Sequence, residues 1–280
     1  MKPAIVRTIA ELRAKVAMWH MLGEKVAVVP TMGALHEGHL TLVREGCKHV
    51  DRVVVTIFVN PKQFAAHEDL GKYPRDEESD LEMLASVNAD LVYAPSTEEM
   101  YAPNFATTVH MAGPALASLE DKFRPHFFDG VATVVSKLFI QSQVDVAMFG
   151  EKDYQQLMVV TQMATDLDIP IKVIGIPTVR DDDGMAKSSR NRYLSPYERH
   201  QSTAIIRSLE QAAEKIRIGG DPQSATKAAS RSLTTLGFKV DYVAARNAVT
   251  LAIPKSANEP IRLLAAAWMG KTRLIDNIGV

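Results

Sequence analysis

The sequence predicts an open α/β fold, a parallel sheet covered on both faces by helices. Short, continuous apolar runs rich in valine and isoleucine recur at 26–29, 53–59, 91–94, 144–149 and 171–176, and amphipathic stretches at 40–49, 77–86, 131–141 and 154–166 lie between them. Strands apolar on both sides suit only a sheet buried on both faces, and the alternation of strand with helix makes that sheet parallel. Polar clusters also follow the strands, at 30–39, 60–64 and 150–153. Ligands of an open α/β sheet bind beyond the carboxyl ends of its strands.

The pattern changes after Pro177. Asp181-Asp182-Asp183-Gly184 reads as a polar turn, and Lys187-Ser188-Ser189-Arg190-Asn191-Arg192 follows without apolar periodicity. Ser195-Pro196-Tyr197-Glu198 has the N-cap, first-turn proline and capping-box form that opens a helix running to about 216. Gly219-Gly220-Asp221-Pro222 ends it, and one more helix and short strands at 240–244 and 262–268 complete a smaller α+β region. The boundary falls at 177, giving domains over 1–177 and 178–280.

The 280 residues are 46% apolar and 23% charged, as in an ordinary globular protein. With 32 basic and 33 acidic side chains the net charge is −1, so no global field favours nucleic acid or an anionic membrane, and any phosphate-binding charge is local. Cys47, the only cysteine, excludes an intrachain disulfide and fits a reducing compartment. The first residues lack the apolar region of a signal peptide, and the apolar runs are strand-sized, so a cytoplasmic location is expected.

Pro30-Thr31-Met32-Gly33-Ala34-Leu35-His36-Glu37-Gly38-His39 puts a glycine-bearing turn and two histidines where the first predicted strand hands over to a helix. Gly33, Ala34 and Gly38 allow close backbone approach to a ligand, and the free N–H groups of a helix start favour an anion. His36 and His39 share one face of the first turn, where imidazoles stabilise charge growing on a triphosphate attacked at its α-phosphorus. The alternatives are two solvated histidines or a metal pair. The metal reading is weaker, because the zinc-protease pattern spaces its histidines four apart around a glutamate base.

Gly150-Glu151-Lys152-Asp153 opens another helix after another apolar strand, and Lys152 can bring an ammonium to a phosphate. Asp153 and Gln156 also fit a capping box, which leaves a helix cap as the alternative role of Gln156. Lys187, Ser188, Ser189 and Arg190 combine hydroxyls and cations in a loop suited to folding over a triphosphate, the alternative being a solvated basic linker. Asn60 and Gln63 suit hydrogen bonds to a small polar acid, although Asn-Pro is also an ordinary turn start.

Together, the turn at 30–39, Phe58-Val59-Asn60-Pro61-Lys62-Gln63-Phe64, Phe149-Gly150-Glu151-Lys152-Asp153-Tyr154-Gln155-Gln156-Leu157 and Ser188-Ser189-Arg190-Asn191 resemble the pantothenate synthetase family, the pantoate–β-alanine ligases. The resemblance runs almost end to end, through Tyr73-Pro74-Arg75 and the closing Ala267-Trp268-Met269-Gly270-Lys271-Thr272-Arg273-Leu274-Ile275-Asp276-Asn277. His36-Glu37-Gly38-His39 is similar to the His-x-Gly-His signature of the wider nucleotidyltransferase superfamily. The resemblance implies a Rossmann-like N-terminal domain binding nucleotide and pantoate, with a smaller C-terminal lid. It implies ATP-dependent ligation of pantoate and β-alanine to pantothenate through a pantoyl adenylate, releasing pyrophosphate and AMP. Mg2+ accompanies ATP, held mainly by phosphate oxygens rather than by a protein metal site. A cytoplasmic homodimer without nucleic-acid or membrane partners is the family expectation.

Carried over by position, the resemblance implies that Met32, Gly33, Ala34, Leu35, His36, Glu37, Gly38 and His39 line ATP, with His39 where the family has its proton donor. Gly150, Glu151, Lys152, Asp153, Val179, Lys187, Ser188, Ser189 and Arg190 complete the nucleotide site. His36, His39, Lys152 and Arg190 are the catalytic set. Gln63 and Gln156 bracket pantoate, Gln63 also neighbours β-alanine, and Asn60 is an additional contact. Two departures from the family pattern stand out. Arg124-Pro125-His126-Phe127-Phe128 stands for Arg-Pro-Gly-His-Phe, with the histidine moved by one position, and Lys62 and Lys187 replace apolar residues. The competing readings are a nucleotidyltransferase with another acceptor, opposed by Asn60, Gln63 and Gln156, and a nucleotide sensor without turnover, opposed by His39, Lys152, Ser188 and Arg190.

Overall fold

The computed structural model describes residues 2–64, 70–256 and 259–280. Its chain divides into two compact units, one of Met1–Ala112, Arg124–Glu151 and Val159–Pro177, the other of Gly113–Phe123, Lys152–Met158 and Thr178–Val280. A single cut at 177 therefore misses two excursions. Hydrogen bonds within the second unit explain them: the side chain of Gln155 accepts from the Glu120 N–H at 2.9 Å, and the Tyr154 hydroxyl donates to the Ala248 carbonyl at 2.8 Å.

The first unit is built on six parallel strands: β1 (Ala4–Val6), β2 (Val26–Thr31), β3 (Arg52–Ile57), β4 (Leu91–Tyr93), β5 (Val146–Gly150) and β6 (Lys172–Ile176). Their order is β1-β4-β3-β2-β5-β6. The fold class is the one expected. Val26, Ala27, Val28 and Val29 are wholly buried, which is why this strand reads as an unbroken apolar run. The order reverses between β2 and β5, since β3 and β4 lie to one side and β6 to the other. The crevice at such a switch point is where ligands bind, beyond the ends of β2 and β5. Helix Ile9–Met21, like β1, is additional to the expected elements; a Thr8–Glu11 capping box starts it, and Leu12, Val16 and Trp19 form its buried stripe.

Helix Phe127–Ser142 starts four residues earlier than expected, because His126, at its N-cap, adopts φ +67°. That left-handed position is the one at which the family pattern places glycine, so the departure at 124–128 replaces an unstrained residue with one carrying a Cβ. His126→Gly is expected to raise stability by about 0.5–1 kcal/mol, the relieved strain less the added chain entropy of glycine. Urea unfolding measures this, and a less stable variant would show that His126 makes compensating contacts.

The second unit carries the antiparallel strands β7 (Lys239–Asn247), β8 (Ile261–Met269) and β9 (Thr272–Gly279). Helices Ala204–Arg217 and Pro222–Thr235 pack with them around Leu209, Leu233 and Leu263. The helix expected to run unbroken from 195 is two, Pro196–Ser202 and Ala204–Arg217. Ser202 and Thr203 donate their hydroxyls to the carbonyls of Glu198 and His200, bonds that compete with the helix ladder where the break falls. Among the described residues no helix is long and apolar enough to cross a membrane.

Candidate functional site

The turn after β2 is held from inside the protein. Gly33 and Ala34 take φ of +77° and +50°, and the Gly33 N–H donates to Thr31 Oγ1 at 3.1 Å. The next two amides, of Ala34 and Leu35, donate to the carboxylate of Asp80 at 3.0 and 2.8 Å. Asp80 is 2% exposed, and a Cβ on Gly33 would lie 2.9 Å from its Oδ2. Glycine at 33 is therefore required by both backbone angle and space. A buried carboxylate thus occupies two amides of the turn that leads into the helix start.

The histidines cap their own helix, Glu37–His49. His36 Nδ1 accepts from the Gly38 N–H at 3.1 Å, and His39 Nδ1 accepts from the His36 N–H at 3.3 Å, a capping box made with imidazoles. Their rings lie 4.1 Å apart, centroid to centroid. An imidazole that accepts on Nδ1 carries its donor proton on Nε2, so the caps fix both tautomers. A Cβ at Gly38 would approach His36 Cε1 to 2.8 Å, which explains the glycine between the histidines. Glu37 pairs with Arg44 on the exposed side of the helix.

After β3, Asn60 caps the short turn Pro61–Gln63 and is 1% exposed. Its Oδ1 accepts from the Lys62 N–H at 3.2 Å and the Tyr101 hydroxyl at 2.7 Å, while Nδ2 donates to Gly130 O and Gln63 Oε1, each at 3.1 Å. All four hydrogen-bonding positions of the amide are thus used within the protein, so Asn60 supports Gln63. Gln63 Nε2 lies 2.9 Å from Met32 Sδ, so these two expected site residues meet. Gly130 makes this approach possible, since a Cβ there would come within 2.4 Å of the Lys62 carbonyl oxygen. The Lys62 ammonium sits over the rings of Tyr101 and Phe105, at 5.2 and 5.1 Å from their centroids. Gly150 closes β5 and Glu151 opens the single 3-10 turn after it.

In the second unit, Lys152, Ser188, Arg190, Asn191, Arg273 and Asp276 line one cleft. Three of the expected phosphate-binding side chains, drawn from segments far apart in sequence, therefore converge. Arg273 is held by Glu120 and Asp241, each at 2.7 Å, and Asp276 pairs with Arg180 at 2.7 Å. The cleft's cations without such close carboxylate clamps are Lys152, 3.6 Å from Asp153, and Arg190. Lys187 and Ser189 are not in its lining. The ammonium of Lys187 pairs with Asp181, and its N–H donates to the Val179 carbonyl at 2.9 Å, while the Ser189 carbonyl accepts from Arg192. Lys187 and Arg199 hold the Asp181 carboxyl below the usual carboxylate range, so this latch persists at neutral pH. Met185 and Ala186 are buried, which anchors the start of the loop.

Among the described residues Gln156 makes no side-chain hydrogen bond, which leaves its amide uncommitted to the helix-cap role. Its neighbour Gln155 is the buried, structural glutamine, donating to Pro114 O at 2.9 Å and Asp121 Oδ1 at 3.1 Å. The closing hairpin supplies supports that no spacing rule suggested. Asn277 Nδ2 donates to the Lys152 carbonyl at 2.8 Å, and Arg180, paired with Asp276, donates to the Gly184 carbonyl at 2.9 Å.

The sequence profile of the family described as Pantoate-beta-alanine ligase matches residues 4–279. The pantothenate synthetase of Caulobacter vibrioides is 55% identical over 284 residues, 99% of each chain, and that of Rhodopseudomonas palustris is 53% identical over 279 residues, again 99% of each. A crystal structure of the pantothenate synthetase of Thermus thermophilus superposes with a TM-score of 0.92 at 44% identity, covering 98% of both chains. A pantoate-beta-alanine ligase from Francisella tularensis, solved in complex with beta-gamma ATP and beta-alanine, gives 0.82 at 32% identity, covering 99% of this chain and 97% of that one.

Proposed function

This chain belongs to the pantoate-beta-alanine ligase family and is a ligase, and from that premise we propose the order of its chemistry. A pantoate carboxylate oxygen bonds to the α-phosphorus of ATP as the bond to the β-phosphate oxygen breaks, giving pantoyl adenylate and pyrophosphate. The amine of β-alanine then bonds to the acyl carbon and loses a proton as the C–O bond to AMP breaks. The first nucleophile arrives already ionised, so the protein need only align the reactants and meet negative charge with donors and cations.

The observation that carries this reading is the convergence of Lys152, Ser188 and Arg190 on one cleft. In the proposal they take the β- and γ-phosphates and the departing pyrophosphate, while His36 and His39 donate from Nε2 to the phosphates under attack. Gln63 and Gln156 hold pantoate. ATP enters as its magnesium complex, with the ion carried on phosphate oxygens.

The test is pantoate-dependent exchange of labelled pyrophosphate into ATP without β-alanine. Exchange that requires pantoate is the expected result. No exchange, in a preparation that makes pantothenate from all three substrates, would point to a route without a free adenylation step.

A further inference from the structure

Tyr101 lies outside every motif that marked the site, yet its hydroxyl begins a chain of hydrogen bonds that ends on Gln63. Tyr101 Oη is 2.7 Å from Asn60 Oδ1, and a hydroxyl facing an amide oxygen donates to it. With Oδ1 so identified, the Asn60 Nδ2 is turned to Gly130 O and to Gln63 Oε1, both at 3.1 Å. The oxygen of the Gln63 amide is thereby engaged as an acceptor. Its Nε2 is left facing Met32 Sδ at 2.9 Å, and a thioether accepts only weakly.

We propose that Tyr101 is a positioning residue for the acid substrate: through Asn60 it fixes the Gln63 amide with its N–H2 presented as the donor, the polarity that a pantoate carboxylate or hydroxyl oxygen requires. The proposal rests on the reading of Gln63 as a pantoate ligand. Burial pushes the pKa of Tyr101 well up, so the hydroxyl keeps the proton it donates. The ring is held by Phe58 and Phe105, 6.1 and 5.0 Å away between centroids, with the Lys62 ammonium 5.2 Å from its own centroid. Asn60 is buried, so water does not readily replace a lost partner there.

The experiment is a double-mutant cycle on pantoate binding, read by calorimetric titration. Tyr101→Phe keeps the ring and removes the donor; it is expected to weaken pantoate about tenfold and leave ATP affinity unchanged. In a Gln63→Ala background the same change is expected to cost nothing further, because the group it positions is gone. Wild-type pantoate affinity in Tyr101→Phe, alongside a loss in Gln63→Ala, would overturn the relay alone. Equal losses from Tyr101→Phe in both backgrounds would also overturn it, as would parallel losses of ATP and pantoate binding, the mark of a merely structural tyrosine. Unchanged pantoate affinity in Gln63→Ala would overturn the underlying reading of Gln63 and the proposal with it.

Discussion

Replacing His39 with alanine is expected to slow pantoate adenylation by roughly 10²–10³-fold, with a much smaller change in ATP affinity. The His39 ring does two things at once. Its Nδ1 accepts from the His36 N–H at 3.3 Å, and that bond leaves the donor proton on Nε2. A donor fixed before the reaction begins needs no reorganisation as charge builds on the phosphate, so its loss falls on the transition state more than on the bound ground state. Alanine removes the donor and one half of the imidazole capping box together. His39→Gln separates the two roles, since a glutamine amide reaches near the Nε2 position but does not reproduce the cap, and it is expected to recover part of the rate. Rapid-quench measurement of adenylate in a single turnover, at saturating ATP and pantoate, gives the comparison. A wild-type rate in His39→Ala would remove His39 from the chemistry and leave it a helix cap.

The sheet was legible because its central strands are buried on both faces, which leaves an unbroken apolar signal in the sequence. The placement of the candidate site segments in the fold was legible for a related reason: an open α/β sheet delivers ligands to the ends of its strands, and the polar clusters at 30–39 and 60–64 follow β2 and β3. Their internal wiring was not. Asp80 sits in the run Glu77-Glu78-Ser79-Asp80, which reads as the solvated acidic first turn of a helix, and only the fold brings its carboxylate to the amides of Ala34 and Leu35. Residue type suits Asn60 to a hydrogen bond with a small polar acid, and no spacing rule shows that its amide also binds Lys62, Tyr101, Gly130 and Gln63. Strand β9 escaped the apolar count because Thr272, Asp276 and Asn277 are buried polar residues within it. The pairing of Lys187 with Asp181 crosses a turn of the chain, and no periodicity predicts which cation in a basic loop a nearby carboxylate will claim.

Asp80→Ala is expected to destabilise the protein by roughly 2–6 kcal/mol, because it strips the partners from two buried amides at about 1–3 kcal/mol each. The bonds at issue run 3.0 Å from the Ala34 N–H and 2.8 Å from the Leu35 N–H to a carboxylate that is 2% exposed. They also hold a left-handed conformation at Ala34, φ +50°, which costs a residue with a Cβ about 1–2 kcal/mol and persists only while its surroundings impose it. Without the carboxylate the turn is free to relax, and the residue that follows it is His36, the first half of the imidazole cap. Adenylation is therefore expected to fall along with stability. Asp80→Asn tests the charge and the second acceptor separately: it keeps the size, but its N–H2 must face one of the two N–H donors, so it is expected to lie between wild type and Asp80→Ala in both properties. Urea unfolding of the three proteins, with adenylation measured well below the transition, supplies the order. If Asp80→Ala unfolds within about 0.5 kcal/mol of wild type, the ordinary range for an indifferent substitution, water satisfies the two amides and the carboxylate is not what holds the turn beneath the histidines.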